Sequence, residues 1–418
     1  MKYKLKEICT VITDGSHWSP QACDDGYPMF SVKDMLEYGF SYENCKRISI
    51  ADFEKMKSSG CVPQKGDVLI AKDGSYLKEI FVCDETREEA ILSSIAIFRP
   101  NQRIVTPEYL CYLLKSPKVY NYIKDNCVSG SAVPRIVLKT FKEVEMDVPD
   151  LVTQKKRCSI LLSIDRKIQT NSKINGNLLE QANTIFKSWF VDFECFNEPM
   201  KKSPVGSEIP ESLEMIQIEK LPHTLETGRR PKGGAVQEGI PSVGAESVKG
   251  IGNYSVGSAK YIPVEFAAKL KTGKVNGYEL MIYKDGGKPG EFHPHFSIFG
   301  EGYPYKDFFI NEHVFKLDFG DVGFNEFAYF YFHTDYVMNW LESNGGKAAI
   351  PGINQSVVNS IWIFHPAHPI VKEFCNFIKP IITQVLKNCY QNMRLSELRD
   401  SILPHLMSGE LDVSELEI

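Results

Sequence analysis

The stretch "TNSKINGNLL", residues 170–179, decides the fold because it interrupts a regular helical pattern with two amides. Apolar residues on both sides of it recur in steps of three and four, the seam spacing of a coiled coil; they are Leu161, Ile164, Ile168, Leu178, Ala182, Ile185 and Trp189. Continuing this spacing through the gap places Asn171 and Asn175 on the seam. In the alternative pattern the seam passes through Ile174, and both asparagines lie on a solvated face.

The sequence repeats one plan along the chain. "LKEICTVITDG" from residue 5 resembles "IEKLPHTLETG" from 218, and "GYPMFSV" from 26 resembles "GIPSVGA" from 239, so both pairs share an offset of 213 in the numbering. "LIAKDGS" (69) and "MIYKDGG" (281) are displaced by 212, and "PRIVLKTFKEVEMDVP" (134) and "PGINQSVVNSIWIFHP" (351) by 217. Loop insertions account for the drift. The pattern predicts a duplicated unit of about 210 residues, far longer than a solenoid repeat.

Each copy is predicted to be an α+β domain followed by a long helix. Short β-patterned runs and short helices do not alternate regularly, which favours α+β over a βαβ series. Pro404 is expected to kink or end the second long helix. The predicted segments are a first domain at 1–150, a helix at 151–195 (helical to about 190), a linker at 196–212, a second domain at 213–366, and a second helix (about 368–408) with its tail at 367–418.

The two asparagines recur in the second helix. The offset that takes Pro134 to Pro351 also maps Asn171 onto Asn388 and Asn175 onto Asn392. If the helices pair antiparallel about a pseudo-two-fold axis, Asn171 faces Asn392 and Asn175 faces Asn388. A buried amide lowers stability, but it disfavours every register in which it lacks a partner. We therefore expect the four asparagines to set the register of an antiparallel coiled coil.

Composition sets broad limits on the function. The 418 residues are 43% hydrophobic with a net charge of −5, so a nucleic-acid partner would need a local basic face. The N-terminus lacks the apolar run of a signal peptide, and no segment of about 18 apolar residues occurs, so we expect a cytoplasmic protein without a membrane span. The eleven cysteines show no metal-ligand spacing, which favours reduced thiols and no metal.

Two similar domains held apart by a stiff helical pair suit an elongated partner such as duplex DNA. A helix of about 40 residues spans about 60 Å, so the domains would read two half-sites separated by an unread gap. The duplicated domain, the junction "VPDLVTQKKRCSILLSIDRKI" and the C-terminal "SILPHLMSGELDV" resemble the DNA-specificity subunit of type I restriction–modification systems. Pro149, Leu151 and Gln154 match the family's junction, whereas the second copy keeps Pro366 and Pro369 without the glutamine.

This resemblance implies a non-catalytic subunit with two target-recognition domains on a bipartite, asymmetric site of double-stranded DNA. It implies that the long helices act as a spacer and dock two adenine-N6 methyltransferase (modification) subunits, with a translocating restriction subunit as an optional further partner. No cofactor is expected in this chain, whereas S-adenosylmethionine, ATP and Mg are expected in the partner subunits. The sequence agrees, because it contains neither a [DN]-P-P-[YF] motif nor a G-x-x-x-x-G-K-[ST] motif.

Candidate DNA contacts lie on glycine-bounded loops, because glycine lets the backbone approach a phosphate closely. In the first domain, "TDGSHWSP", "AKDGSYLK" and "VSGSAVPRI" supply Ser16, His17, Trp18, Lys72, Lys78, Ser129, Ser131 and Arg135. In the second domain, "ETGRRPKGG", "YKDGGKPG" and "SNGGKAAIPGIN" supply Arg229, Arg230, Lys232, Lys284, Lys288 and Lys347. Arg229, Arg230 and Lys347 are the strongest candidates. The alternative is that these loops are ordinary turns with solvated cations.

Two other functions remain open on the sequence alone. The first is a two-headed protein–protein scaffold that does not bind DNA specifically. The second is a hydrolase that uses His293 and His295 of "EFHPHF", whose spacing could begin a metal site that no nearby residue completes; ordinary loop histidines are the simpler interpretation. The aromatic run "EFAYFYFHTDYVMNW" is expected to pack in the core instead of stacking on bases.

Overall fold

The structure, a computed structural model, describes residues 1–74, 76–130, 134–254, 260–320, 323–346 and 351–416. The chain divides into two compact units, the first comprising Met1–Gln169 with Leu395–Ile418 and the second Thr170–Arg394. Each unit combines one predicted domain with segments of both long helices. The reason is burial, since apolar side chains of the helices join the core of the domain in the same unit.

The first unit is built on a four-stranded antiparallel sheet with the order β2-β10-β7-β8. Its central strand "VLIA" is buried on both faces: Val68 and Ile70 face one apolar cluster, and Leu69 and Ala71 face another. The strands are β1 (Lys2–Lys4), β2 (Cys9–Asp14), β3 (Tyr27–Phe30), β4 (Met35–Leu36), β5 (Gly39–Phe40), β6 (Lys46–Ile48), β7 (Val68–Ala71), β8 (Ile80–Val82), β9 (Ala90–Ile91), β10 (Ile95–Pro100), β11 (Val128–Ser129), β12 (Arg135–Ile136) and β13 (Glu145–Asp147).

The first unit has five short helices: α1 (Leu5–Ile8), α2 (Ile50–Ser58), α3 (Pro107–Lys115), α4 (Pro117–Asn126) and α5 (Leu138–Phe141). Helices α1, α3, α4 and α5 cover one face of this sheet, whereas α2 packs against the smaller sheet of β6, β3 and β9. Helix α3 begins where the sequence indicates, because the Thr106 hydroxyl accepts the Tyr109 N–H at 3.2 Å and a proline occupies the first helical position.

The second unit repeats this topology. Its sheet order β17-β23-β20-β21 matches β2-β10-β7-β8, and β19-β18-β22 matches β6-β3-β9. The pair β16–β24 likewise matches β1–β13. The strands are β14 (Met200–Lys202), β15 (Glu208–Pro210), β16 (Met215–Gln217), β17 (Thr224–Thr227), β18 (Ile240–Val243), β19 (Lys260–Ile262), β20 (Leu280–Tyr283), β21 (Phe296–Ile298), β22 (Phe309–Ile310), β23 (Val314–Asp318) and β24 (Trp362–Phe364). The predicted duplication is confirmed.

The remaining helices are α6 (Leu151–Phe190), α7 (Val264–Ala267), α8 (Phe324–Phe332), α9 (Asp335–Gly345), α10 (Gln355–Asn359) and α11 (Pro369–Ser408). The two long helices agree with the predicted spans. Helix α11 does not end at Pro404; burial of Leu403 and Leu406 holds the last turns in place, and Gly409 ends the helix with a φ of 83°. The aromatic run of α8 packs in the core, as expected.

The segment predicted as a linker, 196–212, contains a β-hairpin. Strands β14 and β15 pair from Met200 with Pro210 to Lys202 with Glu208. Gly206, with a φ of 88°, supplies the left-handed turn between them. The glycine of the predicted linker therefore lies in a turn between two short paired strands.

Within the second unit, α6 and α11 pair antiparallel through the expected asparagines. Asn171 donates to Asn392 Oδ1 at 2.8 Å, and Asn388 donates to Asn175 Oδ1 at 2.7 Å. Asn171 and Asn175 are 1% and 8% exposed, whereas Ile174 is 41% exposed. The seam thus passes through the asparagines and not through Ile174. Their effect on register stays a prediction.

Candidate nucleic-acid interface

In both domains the loop after the central strand is bonded to the same later segment by backbone hydrogen bonds. In the first domain, the Gly74 N–H donates to Pro134 O at 2.8 Å, and the Ile136 N–H donates to Lys72 O at 2.9 Å. In the second domain, the equivalent bonds run from Gly286 to Pro351 O at 2.9 Å and from Ile353 to Lys284 O at 2.8 Å. Two of the three predicted loops of each domain therefore meet.

A glycine brings the remaining loop to the same place. The Gly15 N–H donates to Ile95 O at 3.1 Å, and a Cβ at Gly15 would lie 2.3 Å from Ile91 O. At the equivalent Gly228, a Cβ would lie only 1.7 Å from Ile310 O. No side chain fits at either position, so glycine is required by close backbone approach. We call the three loops together the loop cluster: the described residues of 14–18, 72–78 and 128–136 in the first domain, and of 227–234, 284–290 and 343–354 in the second.

Most of the first domain's candidates lie on the surface of its loop cluster. The side chains of His17 and Lys78 are 77% and 72% exposed, and Trp18 is 42% exposed. Ser129 and Arg135 are also exposed and lie opposite each other on β11 and β12. Two serines complete the set: Ser16 is half-buried and donates to Trp18 O at 2.7 Å, and Ser131 lies outside the described residues.

The structure corrects the prediction that Lys72 contacts DNA. Its side chain is only 9% exposed, and its ammonium is 2.5 Å from a carboxylate oxygen of Asp14. The sequence places Lys72 on a loop, but the fold turns the side chain inward because Asp14, on the adjacent loop, supplies a partner. This lysine stabilises the loop cluster from within, and we remove it from the candidate DNA contacts.

The second domain presents more positive charge. Arg229, Lys232 and Lys288 are exposed. Arg230 is 65% exposed and lies 3.8 Å from Glu312 Oε1, a long and solvent-screened ion pair. Lys284 is 24% exposed, lies 3.3 Å from Asp285 Oδ2 and donates to Glu312 O at 2.8 Å, so its charge is largely engaged within the domain. Lys347 lies outside the described residues.

Comparison with known proteins agrees with this doubled architecture. Residues 1–180 match the family model of the type I restriction modification DNA specificity domain. The MjaIX specificity subunit of Methanocaldococcus jannaschii is 28% identical over 395 residues, covering 93% of this chain and 88% of that protein. The HindI specificity subunit of Haemophilus influenzae is 24% identical, covering 83% and 87%. Residues 1–180 are thus similar to a type I DNA specificity domain, and most of the chain is similar to type I specificity subunits.

A solved structure shows the same fold. The crystal structure of the S subunit of a type I restriction-modification system from M. genitalium superposes with a TM-score of 0.56 at 13% identity. The alignment covers 97% of this chain and 95% of that one. The doubled α+β fold with two long helices is therefore the fold of a solved specificity subunit.

Sequence reasoning missed cations that the fold brings to Trp18. The Lys55 ammonium of α2 lies 4.0 Å from the centroid of the indole ring, a cation–π contact. Lys46 of β6 donates to Ser19 Oγ at 2.9 Å and so holds the same loop. Neither lysine lies on a glycine-bounded loop, and the contacts join residues far apart in the sequence. No local signal in the sequence could have found them.

The histidines of "EFHPHF" line a cleft of about 1370 Å³ in the second unit. His293 and His295 share it with His313, which contacts Asp285, and with Lys288 of the loop cluster. Burial lowers the pKa of His295, which favours its neutral form. Among the residues that the structure describes, no group of three His, Cys, Asp or Glu side chains could hold a metal ion. Across the described residues as a whole, no helix is both long and apolar enough to cross a bilayer.

Proposed function

We propose that this protein is a type I specificity subunit that reads a bipartite, asymmetric site in double-stranded DNA, with one half-site for each domain. The observation that carries the proposal is the repeated loop cluster, in which the backbone frame is the same in both domains and the exposed side chains differ. The first domain presents His17, Trp18 and Arg135, whereas the second presents Arg229 and Lys288. Two domains that share a loop backbone but expose different side chains can each read a different half-site.

Chemistry is proposed to reside in partner subunits. We expect two adenine-N6 methyltransferase subunits and, where the system cleaves DNA, a translocating restriction subunit. S-adenosylmethionine, ATP and Mg would be bound by those partners. The names of the related specificity subunits support this division of labour, because they describe one component of a restriction enzyme. The eleven free cysteines support the expected reducing, cytoplasmic setting.

Methylation mapping tests the proposed function. The full chain, assembled with its modification subunits, is expected to direct methylation to one sequence of two half-sites with a fixed gap. Arg229→Ala with Arg230→Ala should relax or abolish reading of one half-site only, and His17→Ala with Trp18→Ala should affect only the other. Each double variant is the control for the other. Loss of both half-sites by either variant would contradict one domain per half-site.

Salt titration separates DNA reading from a protein scaffold. Removal of each cation that contacts a phosphate should reduce the slope of log binding constant against log salt by about 0.9. Replacing Arg229 and Arg230 should therefore reduce the slope by up to about 2. A chain that acted as a scaffold would show no steep loss of DNA binding with added salt, in the wild type or in the variant.

A further inference from the structure

A buried polar network in the first unit joins segments of both long helices to the first domain. Arg399 of α11 donates to Asp165 Oδ1 of α6 at 2.9 Å and to the Tyr38 hydroxyl at 2.7 Å. Tyr38 donates to the same Asp165 oxygen at 2.8 Å, and Tyr112 of α3 donates to the other. The side chains of Arg399 and Asp165 are 13% and 8% exposed. Four segments of the chain thus converge on one buried ion pair.

The sequence repeat replaces Tyr38, Asp165 and Arg399 of this network by apolar residues in the second unit, whereas Tyr112 corresponds to Tyr329. The offset of the repeat is 213 around the tyrosine and 217 along the helices. These offsets place Ile251, Ile382 and Ala182 at the positions of the tyrosine, the aspartate and the arginine. All three belong to the apolar core of the second unit, with exposures of 7%, 0% and 0%. The two domains are therefore attached to their helix segments by different kinds of contact.

The difference has a mechanical consequence. Apolar burial is non-directional, and its strength depends chiefly on the area removed from water. Hydrogen bonds to a buried ion pair are directional, and a rotation that breaks them leaves a charge unpaired at high cost. The first domain should therefore have one permitted orientation on its helix segments, whereas the contacts at the equivalent positions of the second tolerate small shifts.

The network is connected to the loop cluster through the domain core. Tyr38 lies in the tight turn between β4 and β5, and Glu37 of the same turn also contacts Arg399. Phe40, at the end of this hairpin, stacks on Phe30 with ring centroids 4.1 Å apart. Both rings belong to the apolar cluster that covers one face of β7, the strand that leads into the loop at residue 72. Moving the hairpin would therefore move the sheet that carries the loops.

We propose that Arg399, acting through Asp165 and Tyr38, is a positioning residue that fixes the angle of the first domain and hence the gap length between the half-sites. This inference rests on the proposed function. One base pair more or less in the gap shifts a half-site by about 3.4 Å and rotates it by about 35° about the DNA axis. A rigidly oriented domain cannot follow such a change, whereas a domain freed from the network can.

The test varies the gap while both half-sites stay fixed. The full chain, assembled with its modification subunits, is given duplexes whose gaps are one or two base pairs shorter or longer than the mapped gap. The variant combines Arg399→Met with Asp165→Asn, which removes both charges while an amide still bonds to the tyrosine hydroxyls. The wild type should methylate altered gaps about 100-fold more slowly than the native gap. In the variant we expect this discrimination to fall to about 10-fold or less, with the half-sites unchanged.

A second ion pair provides the matched control. Arg99 binds Asp67 with two hydrogen bonds of 2.7 and 2.8 Å inside the first domain, between β10 and the start of β7. Arg99→Met with Asp67→Asn should lower the melting temperature without changing gap discrimination. Tyr38→Phe removes one hydroxyl from the network and should relax the gap partially, which decides the matter if the double variant does not fold.

The outcomes separate this inference from the proposed function. If the wild type directs methylation to no bipartite sequence, the proposed function fails. If the wild type has a fixed gap and both network variants keep the same gap discrimination, the positioning role of Arg399 is wrong. If the Arg99 control relaxes the gap as much as the network variants do, gap length follows general stability, and the positioning role is again wrong.

Discussion

Lys72 and Lys284 occupy the same place in the two domains but have different environments. Lys72 is buried against Asp14, with side chains 9% and 20% exposed. Lys284 contacts the neighbouring Asp285, and both side chains are 24% exposed. The repeat places Thr227 where the first domain has Asp14, and this threonine donates to Glu312 O at 3.2 Å, the same carbonyl that Lys284 contacts.

This comparison shows which part of the loop cluster is shared by the domains. The backbone hydrogen bonds and the two glycines are the same, whereas the side chains that brace the loops are not. A frame built from the main chain leaves the side chains free to diverge, and divergence is what allows two domains of one fold to read different sequences. The following substitutions test how far the close backbone contacts, the lysine ion pairs and the buried core residues differ between the domains.

Gly228→Ala is expected to have the largest effect. The new methyl group would lie 1.7 Å from Ile310 O, so the backbone must move. We expect the free energy of unfolding of the second unit to fall by about 4 kcal/mol, measured in urea. Gly15→Ala, with 2.3 Å to Ile91 O, should cost somewhat less. Gly233→Ala is the control, because nothing lies within 4 Å of its Cβ position. Equal losses at Gly228 and Gly233 would refute the close-approach argument.

Lys72→Met should have the next largest effect, because it leaves the Asp14 carboxylate partly buried without its cation. We expect a loss of about 3 kcal/mol in the free energy of unfolding. Lys284→Met should cost about 1 kcal/mol or less, since its pair with Asp285 is more exposed. Denaturation of both variants under identical conditions measures the difference. Equal costs would mean that the two braces are equivalent despite their different burial.

A pH dependence should distinguish the two domain cores. Burial raises the pKa of the Glu326 carboxyl to about 7, from an ordinary value of 4.5. Between these values the folded state binds more protons than the unfolded state, so stability falls as the pH rises through this window. Glu326→Gln should therefore stabilise the second unit by about 3 kcal/mol at pH 8 and by little at pH 4.5. Thermal melting at both pH values measures this.

The equivalent position of the first domain lacks this dependence. The helix offset of the repeat places Tyr109 at the position of Glu326, and Tyr109 is equally buried. Burial raises the pKa of this tyrosine above its ordinary value of 10, so it stays neutral across the range tested. Tyr109→Phe should change stability by the same amount at pH 4.5 and pH 8. A pH-dependent effect at Tyr109, or a pH-independent one at Glu326, would contradict the assignment.

Periodicity and repetition predicted the fold, because both are local or regular properties of the sequence. The apolar runs identified Val68–Ala71 and Leu280–Tyr283, and the seam spacing located both long helices. Glycines in the sequence marked the loops that supply candidate contacts, and the structure brings these loops together. The sequence could not reveal that Lys72 points inward or that Lys55 covers Trp18, because both facts depend on partners 58 and 37 positions away. Long-range pairing of side chains leaves no periodic trace.

The smallest expected effect on stability concerns the asparagines that pair α6 with α11 in the second unit. Asn175 and Asn388 are 8% and 6% exposed and hydrogen-bond to each other, whereas the first unit uses an ion pair between the same helices. Replacing both asparagines by leucine should raise the free energy of unfolding by about 1 kcal/mol, because apolar packing replaces buried amides. Asn177→Leu, on an exposed face of α6, is the control.

The same variant should lose specificity while it gains stability. Leucines pack in several registers, whereas an amide without a partner disfavours all registers but one. Cross-linking between cysteines introduced on the two helices should therefore give one product in the wild type and additional products or oligomers in the variant. If the variant melts at a lower temperature and gives one unchanged product, the asparagines contribute packing and not register. In that case the asparagines of the second unit would not fix the helix pairing in the way proposed for the Arg399–Asp165 ion pair of the first unit.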